Sequence, residues 1–546
     1  MHNSSHPATP PSATCDPVAP QIELLPPSLT LRVGNRRLTL SRRARKPLPQ
    51  LLFGLLRRSW RAMFGSALRI SLTTAVVCAA WNTTALAAAP PVNTLPTGGT
   101  VTYGNATFTQ TGNTLTINQT TNQAIANFTT FSIGANAVVD INQPSAAAAF
   151  LARVTGTDPS LIYGLLKSNG TVALINQNGI LIGPTGVVDV ARFIASTINL
   201  SDSDFLAGRL TFSSTSGTVG DVENQGTIKT ASGGSVYLIG SNVTNSGVIQ
   251  SPNGEILLAA GQSVELVDTG TPGVTVNVTG AAGNVTNLGT ITAAAGTIGI
   301  AAGLIKNSGI INASSVVADG GRIFLRASQQ LTTTASSAIS ADGVANGGSV
   351  VLYSEGGAYI DGAVSATGAA GKGGYVETSG LTSLDVVNAP TVGSGGTWYI
   401  DPYDLTVVAD TNNNADIILD TITSVITSNG QSSSIRAADI DTQLNLGVNV
   451  TLATGAGGAA SGGNITVSAA IEKTGDANAT LTLNADNNII IKADITSSSN
   501  SLNLSLNTNY QSATTGVHGV TVNAATIGLN GGTLTASDGT LGNGNG

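Results

Sequence analysis

The sequence predicts an all-β solenoid, a parallel β-helix, and three observations carry that expectation. Gly supplies 66 of 546 residues, while charged residues make up only 10% and aromatics 4%. With Thr, Asn, Ser, Ala, Val and Ile filling most of the rest, this is the chemistry of short strands and tight turns. A mean hydropathy of +0.21 separates the chain from disordered sequences, which are poorer in aliphatics and richer in charge. The second observation is an internal repeat of about twenty-one residues. The third is strict apolar/polar alternation inside each repeat, which gives short strands with one buried face. A chain of this length is also too long for one compact core and favours a repetitive architecture.

Four units carry the repeat: "VENQGTIKTASGGSVYLIGS" from Val222, "VTNSGVIQSPNGEILLAAGQ" from Val243, "VTNLGTITAAAGTIGIAAGL" from Val285 and "IKNSGIINASSVVADGGRIFLRAS" from Ile305. Their starts are 21, 42 and 20 residues apart, and the gap of 42 reads as two periods, with "VELVDTG" at Val264 opening the missing unit. Strands of three or four residues are too short to stand alone, but stacked coil on coil each pairs with its counterpart about 4.8 Å along the axis. Leucine-rich repeats have a similar period, but the leucine spacing and a helical segment are missing. The recurring Asn224, Asn245, Asn287 and Asn307 are expected at one corner, where Asn tolerates left-handed backbone. Gly226, Gly247, Gly289 and Gly309 follow for the same conformational reason. About sixteen coils would fit between residues 222 and 546, a rod segment of roughly 75 Å.

Charge divides the chain. Residues 1–88 hold 11 of the 23 basic residues and two acids, Asp16 and Glu23, leaving the rest with 12 basic and 28 acidic residues. A basic leader on an acidic body points to targeting, and with no basic stripe beyond residue 88 the reading excludes nucleic acid as a partner. Arg69 precedes an apolar run from Ile70 to Trp81, and Ala85, Leu86, Ala87 and Ala88 supply a small-x-small cleavage region. The run is shorter than the ~20 residues of a spanning helix, so the segment reads as a signal peptide that hands the chain to the Sec translocon. Met63 offers a second start that would leave a leader of ordinary length. Cys15 and Cys78 both lie in the leader, so the mature chain carries no cysteine and cannot be locked by disulfides.

Residues 97–212 lack the twenty-one-residue period. They contain "INQPSAAAAFLARVTG", "DPSLIYGLLKSNGTVALINQNGILIGPTGVVDV" and "FIASTINLSDSDFLAG". In order and spacing these resemble the secretion domain of filamentous-haemagglutinin-type exoproteins of the two-partner secretion pathway. The resemblance is close over about 120 residues and looser over the later repeats and "GTWYIDPYDLTV". It implies a capped, right-handed β-helix with a small extra sheet. It also implies a cognate outer-membrane β-barrel transporter with periplasmic docking domains, passage in an extended state and folding outside. The family's Asn-Pro-Asn turns are matched in part. Asn176, Asn178 and Gly179 fit the second motif with Gln177 in place of its proline, and Asn142, Gln143 and Pro144 stand for the first in altered order. Proline presets φ for a type I turn, and Gln177 can adopt the same conformation at a cost under about 1 kcal/mol. Leu174 and Ile175 would then end one strand and 180–182 form the next.

The organisation that follows is a leader at 1–88, a secretion domain at 89–215, coils of about 21 residues at 216–395, and further irregular β-helix repeats with a Gly-rich tail at 396–546. Chemistry has little to work with. The mature chain holds one histidine, His518, so neither a Ser-His-Asp nor a Cys-His set can be assembled. Asp401 and Asp404 in "DPYD" are the best carboxylate pair, yet Asp401-Pro402 reads as a turn closing on Trp398 and Tyr399, and "SDSD" at Asp202 and Asp204 reads as a solvated loop. The expectation is a non-enzymatic exoprotein that needs no cofactor or metal, an adhesin or haemagglutinin-like rod meeting a host-cell or surface receptor. A polysaccharide-acting enzyme on a β-helix scaffold and a passive biofilm or matrix protein are the alternatives.

Overall fold

The computed structural model describes residues 88–213, 219–267, 275–409, 432–454, 462–510 and 518–538, with four further strands at 28–33, 36–41, 417–420 and 425–428. It divides into units 1–86 and 87–546. In the first, Ser28–Val33 pairs antiparallel with Arg36–Ser41. The rest of the leader, including Ala85 and Ala87, lies outside the described residues, and Ala88 is exposed.

The second unit is a parallel β-helix. Its longest column of strands runs in register through Ala124, Phe150, Val172, Phe193, Val236, Ile256, Ile298, Ile323, Val350, Val376, Trp398, Val450, Leu481, Leu504 and Leu534. A second column runs Leu115, Val139, Leu166, Val188, Ile228, Ile249, Ile291, Ile311, Ile339 and Val364. Nearly all of these side chains are buried, because period-two alternation sends every second residue inward on every rung. Each buried aliphatic is worth about 1.5–3 kcal/mol, and stacking joins contributions that no single coil could use alone.

The first rung is covered. Thr100–Tyr103 pairs antiparallel with Gln123–Phe128, and Ala106–Thr111 pairs antiparallel with Thr114–Gln119. Phe108, Phe128 and Phe131 fill this end with edge-on contacts at 5.6 and 5.1 Å. Antiparallel hairpins thereby occupy the strand edges that a bare solenoid end would expose.

The repeat differs from its sequence reading in two respects. The 42-residue gap holds one coil, not two, since Val243 pairs directly with Val285. The stretch at Val264 belongs to a hairpin that leaves the helix. The end of Glu255–Val267 pairs antiparallel with Thr275–Ala282 and, on its other side, with Thr211–Ser213, which pairs with Asn199–Leu200. This extra sheet and the helix Asp202–Leu206 lie on the outer face of the long column and bury Ile125, Leu151, Ile194, Phe205, Phe212 and Val264 in a second core. Coil number also differs. Among the described residues past 222 the long column has eleven rungs, from Val236 to Leu534, and its later coils lengthen well beyond 21 residues.

Asp401-Pro402 is not a turn. Both residues continue the strand Thr397–Pro402, in which Trp398 points into the core and its Nε1 donates to Thr378 Oγ1 at 3.1 Å. Parity again decides, for Trp398 occupies the inward column and Tyr399 faces out. Beyond it Asp404–Val408 pairs with both Ser432–Arg436 and Ile465–Val467, and a helix at Ala437–Asn445 sets Ile440 and Leu444 into the core.

Candidate secretion-recognition site

Thr171–Ile175 and Ile180–Ile182 are separate strands, and Asn176 to Gly179 turn the corner between them. Asn176 is fully buried, and each of its polar groups is bonded. Its Nδ2 donates to Asp158 O and Ser160 Oγ, both at 3.0 Å, while its Oδ1 accepts from the Asn178 backbone N–H at 3.0 Å and from Asn178 Nδ2 at 3.1 Å. Its backbone N–H reaches Ser196 O and its carbonyl accepts from Gly179 N. Asn178 Nδ2 also donates to Gly156 O at 2.8 Å, so the turn is tied to the coil before it. Gly179 has φ 125°, which disfavours any side chain. Gln177 is exposed, and only its carbonyl takes part, accepting from Gly220 N.

The first motif is a different device. Asn142 ends Val138–Asn142 and donates to Asn118 Oδ1 at 3.0 Å. Gln143 is buried, donates to Gln119 Oε1 at 3.1 Å and accepts from Ser168 Oγ at 2.6 Å. Its backbone exchanges two 2.8 Å bonds with the Asn169 amide, and Pro144 lies exposed beyond it. Three successive rungs are stapled at this corner. Beside it, on the outer face, Asp140, Lys167, Asp189 and Lys229 occupy matching positions of consecutive rungs, with ion pairs of 2.9 Å at Lys167–Asp140 and Lys229–Asp189.

The repeated asparagines work otherwise than their recurrence implied. Asn224, Asn245, Asn287 and Asn307 do not adopt left-handed backbone. They are fully buried strand-end residues that form a ladder, each Nδ2 donating to the next Oδ1 at 2.8 Å. They interrupt an inward column that carries Ile162 and Ile182 before them and, after one further polar rung at Thr333, Ile360 and Val386. Nor do the following glycines have positive φ. A Cβ on Gly247, Gly289 or Gly309 would strike the carbonyl oxygen of the preceding glycine in the stack, so close approach excludes side chains there.

Three of the acidic candidates, Asp202, Asp204 and Asp404, are tied into the fold, and Asp401 is not. Asp404 Oδ1 accepts from Asn464 N at 2.7 Å. "SDSD" is not a solvated loop but the start of the helix Asp202–Leu206, capped by Ser201. Hydrogen bonds from Ser201 and Arg209 pull the Asp204 carboxyl below its ordinary range, and Asp202 meets Arg153 at 2.7 Å. Asp401 Oδ1 is buried without a hydrogen-bond partner among the described residues, and burial, with Glu377 nearby, raises that carboxyl to about 7. Among the described residues no three His, Cys, Asp or Glu side chains gather as metal ligands, and His518 Nδ1 lies 3.1 Å from Asn487 Oδ1. The small extra sheet that the resemblance implied is present, but sequence reasoning missed which strands build it and the second core beneath it. It also missed an open groove of about 470 Å³ beside Gln177, bordered by Arg153 and Asp202. Phe205 and Phe212, rare aromatics between the motif and the first repeat, were the available signal.

The fold is thus a parallel β-helix with a capped first rung and two amide-stapled corners in its first coils. The family described as TPS secretion domain matches residues 92–375, just over half of the chain, and the chain belongs to that family. Its members are exported by two-partner secretion, which places the protein outside the cell or at its surface. A heme/hemopexin-binding protein of Haemophilus influenzae strain Rd is 34% identical over 175 residues, 31% of this chain and 19% of the relative. A second such protein from Haemophilus influenzae is 34% identical over 99 residues, 18% of this chain and 11% of that one. The matched stretches thus span a fifth or less of either relative. Among solved structures, the HMW1 secretion domain from Haemophilus influenzae superposes with a TM-score of 0.50 at 24% identity, covering 81% of this chain and all of that one, a likeness of fold.

Proposed function

We propose that this two-partner secretion exoprotein is a non-enzymatic adhesin whose receptor-facing surface includes a stacked corner lobe. The observation that carries the reading is Val316 and Val317, 86% and 85% exposed, with Val344 one coil on at 45%. Backbone bonds from Val344 and Ala345 to Ala318 O, and from Ala370 to Val344 O, hold the loops on one another. Apolar side chains displayed on an ordered lobe favour contact with another surface. Replacing Val316 and Val317 together by Ser is expected to abolish binding of the purified protein to host cells with the melting temperature unchanged. Undiminished binding overturns the adhesive use of this lobe.

Export in this proposal begins at the Sec translocon, with cleavage near Ala85, Ala87 and Ala88. A cognate outer-membrane barrel then receives residues 97–212 through periplasmic docking domains. The capped first rungs serve as the folding nucleus outside, on which each emerging coil adds by local pairing. Deleting 97–212 should leave the chain in the periplasm, and efficient export of the deleted form would remove this step. The resemblance to heme/hemopexin-binding proteins supports a second reading, in which the ligand is heme or its carrier. Titration with hemin and with hemopexin separates it from cell adhesion.

A further inference from the structure

The outer face of the long column carries a cleft of about 540 Å³, roofed by the helix Asp202–Leu206 and the residues that follow it. Its origin is a break in register. Val190 pairs with Thr230 and Arg192 with Ser235, so the neighbouring strand bulges outward through Gly233 and Gly234. That bulge opens the rungs and puts two glycines at the rim. Arg192 stands exposed at the mouth, and its guanidinium has no hydrogen-bond or ion-pair partner among the described residues. Ile194, Phe205 and Leu210 form an apolar wall. Glu255 lies two rungs from Arg192, about 10 Å along the stack, and accepts the Tyr237 hydroxyl at 2.5 Å.

We propose that this cleft binds a small amphipathic carboxylate, with its acid group on Arg192 and its apolar body against Ile194, Phe205 and Leu210. The volume falls within the ~300–1,000 Å³ typical of small-molecule sites. One guanidinium matches one carboxylate through two parallel bonds, whereas a phosphate dianion would call for further cations that the cleft lacks. Glu255 lines the same cleft two rungs from Arg192, and the Tyr237 hydroxyl donates to it. The site lies within the secretion-domain coils and is remote in sequence from the valine lobe, so it is independent of the adhesive reading.

The test is calorimetric titration of the full secreted chain with 4-phenylbutyrate and, in parallel, with the neutral 4-phenylbutanol. The acid is expected to saturate and to bind about tenfold more tightly than the alcohol. Arg192→Gln should remove that difference, weakening the acid about tenfold and leaving the alcohol unchanged. Because the Arg192 guanidinium bonds nothing in the fold, the variant should keep its melting temperature. Leu210→Ser should weaken both ligands alike. Failure of 4-phenylbutyrate to saturate by about 10 mM, or equal acid binding by Arg192→Gln and the parent chain, overturns the proposal.

Discussion

Asn176 and Asn245 are both fully buried, yet one closes a circuit and the other passes a bond along. Around Asn176 the amide bonds return to the same turn and the coil just before it, through Asn178, Ser160 and Asp158. Around Asn245 they run up the axis, from Asn224 below to Asn287 above. The glycines divide the same way. Gly179 needs its φ of 125°, while the atoms nearest to a Cβ there stand 3.6 Å away. Gly289 has no room for a Cβ, although its φ is ordinary. One region ties a single turn to the coil before it, and the other repeats the same bond from coil to coil.

The sharpest way to break the comparison is Gly289→Ala against Gly179→Ala. The first forces two backbones apart and should cost more than about 3 kcal/mol in urea unfolding. The second strains only φ, at about 1–2 kcal/mol. Equal losses would erase the distinction. Acidity probes a third place that neither amide region can feel. Asp401 has its pKa raised to about 7, so its neutral form suits the fold. The stabilisation is therefore complete below the ordinary carboxylate pKa near 4 and is lost as pH rises to about 7. Stability should fall by on the order of 4 kcal/mol across that window, and Asp401→Asn should flatten the profile.

Asn245→Ala strands the Asn224 donor and the Asn287 acceptor, and Asn176→Ala strands groups within the turn. Each should cost about 2 kcal/mol. Secretion should separate them, with the Asn176 variant failing to leave the periplasm and the Asn245 variant leaving it; equal export would make the turn mere scaffold. The smallest effect belongs to Gln177→Pro. The Gln177 N–H is not among the backbone donors at this turn, so proline loses no bond there. Stability should rise by under about 1 kcal/mol with export retained.

The β-helix and the position of the 176–179 corner were legible because strand parity and turn chemistry are local. What the repeated residues do was not. Recurrence at 224, 245, 287 and 307 says that a position matters, but partners one coil away are invisible in a linear chain, so a ladder passes for a set of turns. The excursion at Val264 was hidden by arithmetic, since a coil and its hairpin together happen to fill two periods. Asp401 was misplaced because Asp-Pro is a turn signal only where the strand register allows one, and here Trp398 holds that register.

The column of alternating charge has a consequence for assembly. Asp140, Lys167, Asp189 and Lys229 attract their neighbours only weakly at the surface, within about 1 kcal/mol per pair. If winding skipped a coil, Asp140 would face Asp189 and Lys167 would face Lys229. Within these four rungs an error of one would set like charge against like and disfavour the misplaced coil. The stripe acts as a parity check on a molecule that must count its own turns.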